Sequence, residues 1–195
     1  MAREAEPHRH DGEPRRIIEN LAPDPHPAPQ PTARVLIVGQ APGARVHASG
    51  RPFDDASGDR LRRWMGIGRE VFYDSARLAI VPMGFCFPGY DARGSDLPPP
   101  KLCAQTWRER VMQTLPQIEL ILVIGQYAQA WHLGRGRGKN VTETVRAWQN
   151  HTDQVPSHLP LPHPSWRNTG WLKRNPWFEE DVVPWLQASV QRLCS

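Results

Sequence analysis

The strongest apolar stretches of this chain are continuous rather than alternating. Val35, Leu36, Ile37 and Val38 run without a polar break and stop at Gly39, with Pro42 and Gly43 just beyond. Leu120–Ile124 repeats the pattern and stops at Gly125-Gln126. Short unbroken runs of aliphatic and β-branched residues, closed by Gly or Pro, predict strands buried on both faces, as in parallel sheets. Val71–Ser75 and Leu78–Val81 predict a second strand region, and Ser157–Leu161 a short last strand. Helical spacing of Leu61, Trp64 and Met65 predicts a helix over Arg60–Met65, capped by Ser57 or Asp55. Trp107, Val111 and Leu115 share one face of a helix over Lys101–Leu115. Further helices are predicted over Gln126–Leu133, Val141–Trp148 and Pro176–Leu193, while Ala44–Phe53 reads as a loop. Strand and helix alternate, which predicts a three-layer α/β/α sandwich on a central parallel sheet.

Composition narrows this picture. Residues 1–30 are rich in Pro, His and charge and bury little beyond Ile17, Ile18 and Leu21, so they read as a flexible tail ahead of one domain over 31–195. The 21 prolines predict long shaped loops between the elements. The formal charge of +4 comes mostly from Arg, which suits phosphate and favours an anionic partner. Three cysteines, Cys86, Cys103 and Cys194, make no disulfide framework. No apolar run reaches membrane-spanning length and the acidic, His-rich start is no signal peptide, so a cytoplasmic protein is expected.

Three loops leave strand ends: Gly39–Gly43 (GQAPG), Pro82–Gly89 (PMGFCFPG) and Leu161–Asn168 (LPHPSWRN). In an open parallel sheet such loops converge on one edge, where ligands bind. Their residue types suit a planar heterocycle. Phe53, Phe85 or Phe87 offers a ring to stack on, His163 a hydrogen-bond donor, and the glycine turns backbone N–H groups.

GQAPG, then GRPFDDASG over 50–58, then HPS at 163–165 resembles the uracil-DNA glycosylase superfamily. The chain looks closest to its bacterial family-four-like branch, where the first motif reads GEAPG or GEGPG and GRPF follows at the same distance. The similarity covers most of Pro31–Leu193, and PHPSWRNTGWLKRNPWFE looks like the mark of a subgroup. Several positions depart from that pattern. Family four holds a [4Fe–4S] cluster on four Cys, two of them ahead of the first strand, where this chain has none; Cys86 and Cys103 alone cannot build it, so no cofactor is expected. Substitution by His8, His10 or His26 is not expected either. Gln40 stands where family four has Glu, and Ala41 where the family-one enzymes carry their water-activating Asp. Pro82 and Met83 occupy the neighbourhood of the base-reading Asn.

What the resemblance implies is a DNA-repair glycosylase that flips uracil out of DNA and hydrolyses its N-glycosidic bond, leaving an abasic site and free uracil. It also implies a bacterial protein that works as a monomer on nucleoid DNA, away from membranes. His163 would donate to the uracil O2 as negative charge develops there. Gln40, with Asp54 or Asp55, would place the water. Phe53 would stack on the base, with Gly39, Ala41, Met83, Gly84 and Phe85 lining its pocket. Pro42, Gly43, Ser57, Ser165, Arg167 and Asn168 would hold the DNA backbone, and Gly134–Lys139 (GRGRGK) would add charge. Trp166, Trp171 or Leu172 could enter the gap left in the base stack. Missing the motif-one carboxylate, the chain could instead be a weakly active or non-catalytic member that binds uracil or abasic DNA. A remoter reading is an enzyme on a small nucleotide, with GQAPG cradling phosphate.

Overall fold

The two continuous apolar runs form the inner strands of the sheet. β1 (Val35–Val38) and β3 (Leu120–Ile124) pair in parallel, from Val35 opposite Leu120 to Val38 opposite Val123. β2 (Leu78–Ile80) adds outside β1 and β4 (Ser157–Leu161) outside β3, so the order is β2-β1-β3-β4 with every pairing parallel. These strands come from a computed structural model, which describes residues 29–195. The expected tail, with Ile17, Ile18, Leu21 and the three N-terminal histidines, falls outside the described residues except at its last positions.

Eight α-helical segments are described: α1 (Ala44–Ser49), α2 (Ala56–Met65), α3 (Arg69–Phe72), α4 (Lys101–Gln113), α5 (Gly125–Leu133), α6 (Val141–Arg146), α7 (Thr169–Arg174) and α8 (Val183–Cys194). Because successive strand residues point to opposite faces, each inner strand feeds two cores. Val35, Ile37, Leu120, Leu122 and Ile124 pack with Leu61 and Trp64 of α2 and with Leu186 and Val190 of α8. Leu36, Val38, Ile121 and Val123 pack with Trp107 and Val111 of α4 and Ala128 of α5. Helices on both faces of a parallel sheet make the three-layer α/β/α sandwich.

Local expectations failed in informative places. Val71-Phe72-Tyr73 has strand propensity, yet α3 takes Arg69–Phe72, with Phe72 fully buried against the first core. Packing of one aromatic overrides the local preference. Ala44–Ser49 is a short helix rather than loop, closed by Gly50 at φ 69° with its N–H on the Val46 carbonyl. The helix begun at Val141 stops at Arg146, and a 3₁₀ turn carries Trp148–His151. A π-helical turn, Phe178–Val182, precedes α8.

Buried polar groups punctuate the second layer. Arg108 is 2% exposed; its Nη1 donates to the Val81 carbonyl at 2.8 Å, fixing the exit of β2. Burial lowers its pKa to about 10, so it stays charged at neutral pH. His132 of α5 stacks near His158 of β4, 5.7 Å between ring centroids, and its Nε2 has no partner among the described residues. Burial, with Arg108 and His158 adding, pushes His132 down to about 3, and burial lowers His151 and His158 as well. Unfolding frees all three to take up protons at an ordinary value of about 6.5, so stability should fall as pH drops through that value and keep falling toward about 3. His132→Phe should flatten that acid limb, which thermal unfolding between pH 7 and pH 4 checks. No described helix is long and apolar enough to cross a membrane.

Candidate active site

The strand-end edge of the sheet carries the candidate site. There the β1–β2 ladder continues past the strands. Val81 N–H donates to Ile37, Met83 N–H to Gly39 and Gly84 N–H to Gln40, each at 2.9 Å. These bonds zip GQAPG to the loop leaving β2. Gly84 suits the tight seam, since a Cβ there would lie 3.0 Å from the Pro99 Cβ and 3.4 Å from that of Ala41. Gln40 donates through Nε2 to the Leu97 carbonyl at 2.9 Å, tying down the hairpin closed by the Tyr90–Asp96 bridge. Gly43 caps α1, and a Cβ on it would meet nothing within 4 Å.

Phe53 is the ring at this edge. A Cβ placed on Gly39 would lie 3.9 Å from its Cζ, so the ring stands over the end of β1. Its backbone has φ 56°, a left-handed conformation that costs a bulky residue about 1–2 kcal/mol and needs outside support. That support is visible. Arg62, 5% exposed, donates from Nη1 to the Phe53 carbonyl at 3.1 Å while Nη2 pairs with Asp59 at 2.7 Å. Tyr73 donates to the Pro52 carbonyl at 3.0 Å, and the Phe53 ring meets Phe72 edge to face, 6.2 Å between centroids. Gly58 leaves room for the Phe53 carbonyl, which would sit 1.7 Å from a Cβ at 58.

His163 enters from the end of β4, behind the buried Leu161 and Pro162. Its Nδ1 accepts the Ser165 N–H at 3.2 Å, and its carbonyl accepts the Asn168 amide at 2.7 Å. An Nδ1 that accepts carries no proton, so in the neutral ring the hydrogen sits on Nε2. The side chain is open to solvent, yet surrounding protein lowers its pKa by desolvation; Asp55 and Asp96 pull it upward and Arg167 downward. Its neutral form therefore persists below the ordinary histidine range. The geometry supplies a neutral N–H donor with a fixed tautomer.

The two acids differ in their surroundings. Asp54 is ion-paired with Arg69 at 2.8 Å, and that hydrogen bond is the main reason its pKa is lowered. Asp55 caps α2, accepting the Gly58 N–H at 2.9 Å, and lies within electrostatic reach of His163. Of the two capping candidates, Asp55 rather than Ser57 does this; Ser57 is half-buried in the first turn. Arg167 lies 5.9 Å from the Trp166 ring centroid, and Trp166 is 74% exposed. Trp171 is instead anchored, its Nε1 on Thr142 at 2.7 Å and its ring against Phe178, and Leu172 packs on the same core.

Two expectations are corrected. Met83 and Phe85 do not line the site: they are 4% and 7% exposed and follow Val81 into the second core. The period-two alternation of β2 runs on through 81, 83 and 85, so these side chains belong to the layer under α4. Phe87 is half-buried and packs edge to face on Tyr90, 4.9 Å between centroids, while the Phe53 ring stands at the end of β1. The GRGRGK loop sits away from the site, because α5 runs back along the sheet until His132 meets the start of β4.

Two arginines of α2 escaped the sequence reading. Arg62 holds Phe53, as above. Arg60 donates from Nη1 to the Ser165 carbonyl at 2.8 Å and from Nη2 to the Thr169 hydroxyl at 3.1 Å. Nothing in a helix already crowded with Arg could have signalled them.

The cysteines do not fit a four-thiolate cluster. Cys86 and Cys103 are neighbours beyond β2, but Cys194 ends α8 at the opposite edge, where its carbonyl accepts from Arg77 ahead of β2. No group of three or more His, Cys, Asp or Glu is placed to hold a metal among the described residues. Compared with known families, residues 26–187 match the model described as Uracil DNA glycosylase superfamily.

Proposed function

This chain belongs to the uracil DNA glycosylase superfamily, and on that premise we propose that it is a monofunctional glycosylase that releases uracil from DNA and leaves an abasic site. The observation that carries this reading is the His163 tautomer, with Nδ1 occupied by the Ser165 N–H and Nε2–H left to donate. A base stacked in a duplex is out of reach, so the nucleotide is flipped into the pocket. Phe53 stacks on the uracil ring, a contact worth about 1–3 kcal/mol. As the C1′–N1 bond breaks, its electron pair passes to the base and negative charge collects on O2. His163 Nε2–H meets that charge, and a donor so placed contributes about 3–4 kcal/mol in the transition state. Water adds to the sugar C1′ from the other side. Gln40, through its free Oε1, orients the water, and Asp55 accepts its proton; Asp54, spent on Arg69, is the weaker candidate. Gly39, Ala41 and Gly84 contribute backbone to the pocket floor.

For the DNA, Pro42, Gly43 and Ser57 let a phosphate come close, and Ser165, Arg167 and Asn168 grip the flanking backbone. Trp166, exposed at the tip of the same loop, enters the space the base vacates. The protein acts as a cytoplasmic monomer on nucleoid DNA. Arg167→Ala should weaken affinity evenly across sequences and flatten its salt dependence, while excision at saturating enzyme survives. Titrations of uracil duplex at several salt concentrations check this, and a collapsed saturating rate would move Arg167 into the catalytic set.

A second reading has its own observation: the Asp55 carboxylate already caps a helix and Asp54 already pairs with Arg69, so neither is a free base. On that reading the chain binds uracil or abasic DNA and cleaves it weakly or not at all. Incubation with a uracil-containing duplex, scored for alkali-sensitive breaks, separates the two. Breaks at uracil support the glycosylase, tight binding without breaks supports the second reading, and the absence of both breaks and binding overturns both.

A further inference from the structure

We propose that Arg60 is a positioning residue for His163, holding from α2 the segment that carries the imidazole. The inference rests on the glycosylase reading for its effect on rate. The geometry is that of a fork. Nη1 takes the Ser165 carbonyl at 2.8 Å and Nη2 the Thr169 hydroxyl at 3.1 Å, so one guanidinium spans the turn from the His163 loop into α7. Ser165 links the two, because its N–H is the group on His163 Nδ1. With its carbonyl on Arg60 and its N–H on the imidazole, Ser165 is held on both sides. Asn168 closes the same loop on the His163 carbonyl at 2.7 Å.

The helix supplying Arg60 also fixes Phe53. Gly58 and Arg62 of α2 hold the Phe53 carbonyl, and Asp55 caps the helix. One rigid element thus spaces the stacking ring from the donor that must reach the base held against it. A site displaced by about 1 Å can lose about a hundredfold in rate, so such spacing has large leverage. Lysine could not replace Arg60: an ammonium is a point charge and cannot span both acceptors as a planar fork does. Two of its nitrogens being engaged within the protein also sets Arg60 apart from an arginine reserved for phosphate.

Arg60→Ala, Arg60→Lys and the milder Thr169→Ala, each in the full chain, test this. In the free protein, ¹⁵N spectra of the imidazoles, with His163 assigned by its absence in His163→Gln, should show a fixed Nε2–H tautomer that Arg60→Ala averages toward a mixture. Single-turnover excision at saturating enzyme should fall about tenfold or more in Arg60→Ala, stay impaired in Arg60→Lys and fall less in Thr169→Ala. An unchanged His163 tautomer would overturn the proposal. So would an unchanged saturating rate with weaker, less salt-dependent binding, which would make Arg60 a phosphate contact, or a lowered melting temperature with an unchanged rate per folded molecule. If the wild-type protein excises nothing, the glycosylase reading fails, and the tautomer measurement alone still decides whether Arg60 positions His163.

Discussion

His163→Ala should slow single-turnover uracil excision by about a hundredfold or more, with little loss of affinity for uracil DNA. The asymmetry follows from when the hydrogen bond matters. In the bound substrate O2 is an ordinary carbonyl; only as the glycosidic bond breaks does it become an anion, and only then does the Nε2–H donor gain its full value. Fixing the tautomer through Ser165 means that the donor needs no rearrangement at that moment. The lowered pKa fits a neutral donor, because an already neutral imidazole is ready near pH 7. The fall in wild-type rate with falling pH should therefore set in at a lower pH than an ordinary imidazole would give. A histidine that merely braces its loop gives the opposite forecast: His163→Ala would lower the melting temperature and leave the rate per folded molecule unchanged. Measuring both on one preparation decides, and an unchanged rate would remove His163 from the chemistry.

What could be read without coordinates, and what could not, divides along physical lines. β1 and β3 fall at Val35–Val38 and Leu120–Ile124, where the apolar runs placed them, because a strand buried on both faces leaves a continuous signal. That the GQAPG and HPS loops leave the same edge of the sheet follows from parallel topology alone. Direction was not legible. Phe85 and Phe53 are both aromatic residues near strand-end glycines, yet one follows the pleat into the core and the other is turned out by a positive φ. Alternation with Val81 and Met83 marks Phe85, but nothing in the sequence marks Phe53, since Phe is a poor choice for that conformation and persists through Arg62, Tyr73 and Gly58. The two α2 arginines were hidden for a related reason: they act on carbonyls far along the chain, and a carbonyl has no sequence signature. Asp55 carried two readings, cap and water-placing carboxylate, and the geometry gives it the cap within electrostatic reach of His163.

Among the described glycines, Gly58→Ala should be the most damaging single methyl. By propensity alone the change should help, since Ala is favoured over Gly inside a helix by about 1 kcal/mol. Here a Cβ would lie 1.7 Å from the Phe53 carbonyl oxygen and 2.6 Å from its carbon. Those are backbone atoms, so no side-chain rotation relieves the clash. Either α2 shifts, or the Phe53 segment moves off and gives up its bond to Arg62 at 3.1 Å. Overpacking a rigid site costs about 1–3 kcal/mol, and losing the hydrogen bond to a buried charged group costs about 1.5–3 kcal/mol more. The clash therefore outweighs the propensity gain, and a net loss of about 2–5 kcal/mol is expected. Denaturant unfolding of Gly58→Ala beside the wild type measures it. Activity should suffer further, because a displaced Phe53 no longer faces the base: the surviving folded fraction should excise uracil at least tenfold more slowly, given the cost of about 1 Å of misplacement. Equal stability, or a folded variant with the wild-type rate, would mean that the close approach of α2 to Phe53 does not set the pocket.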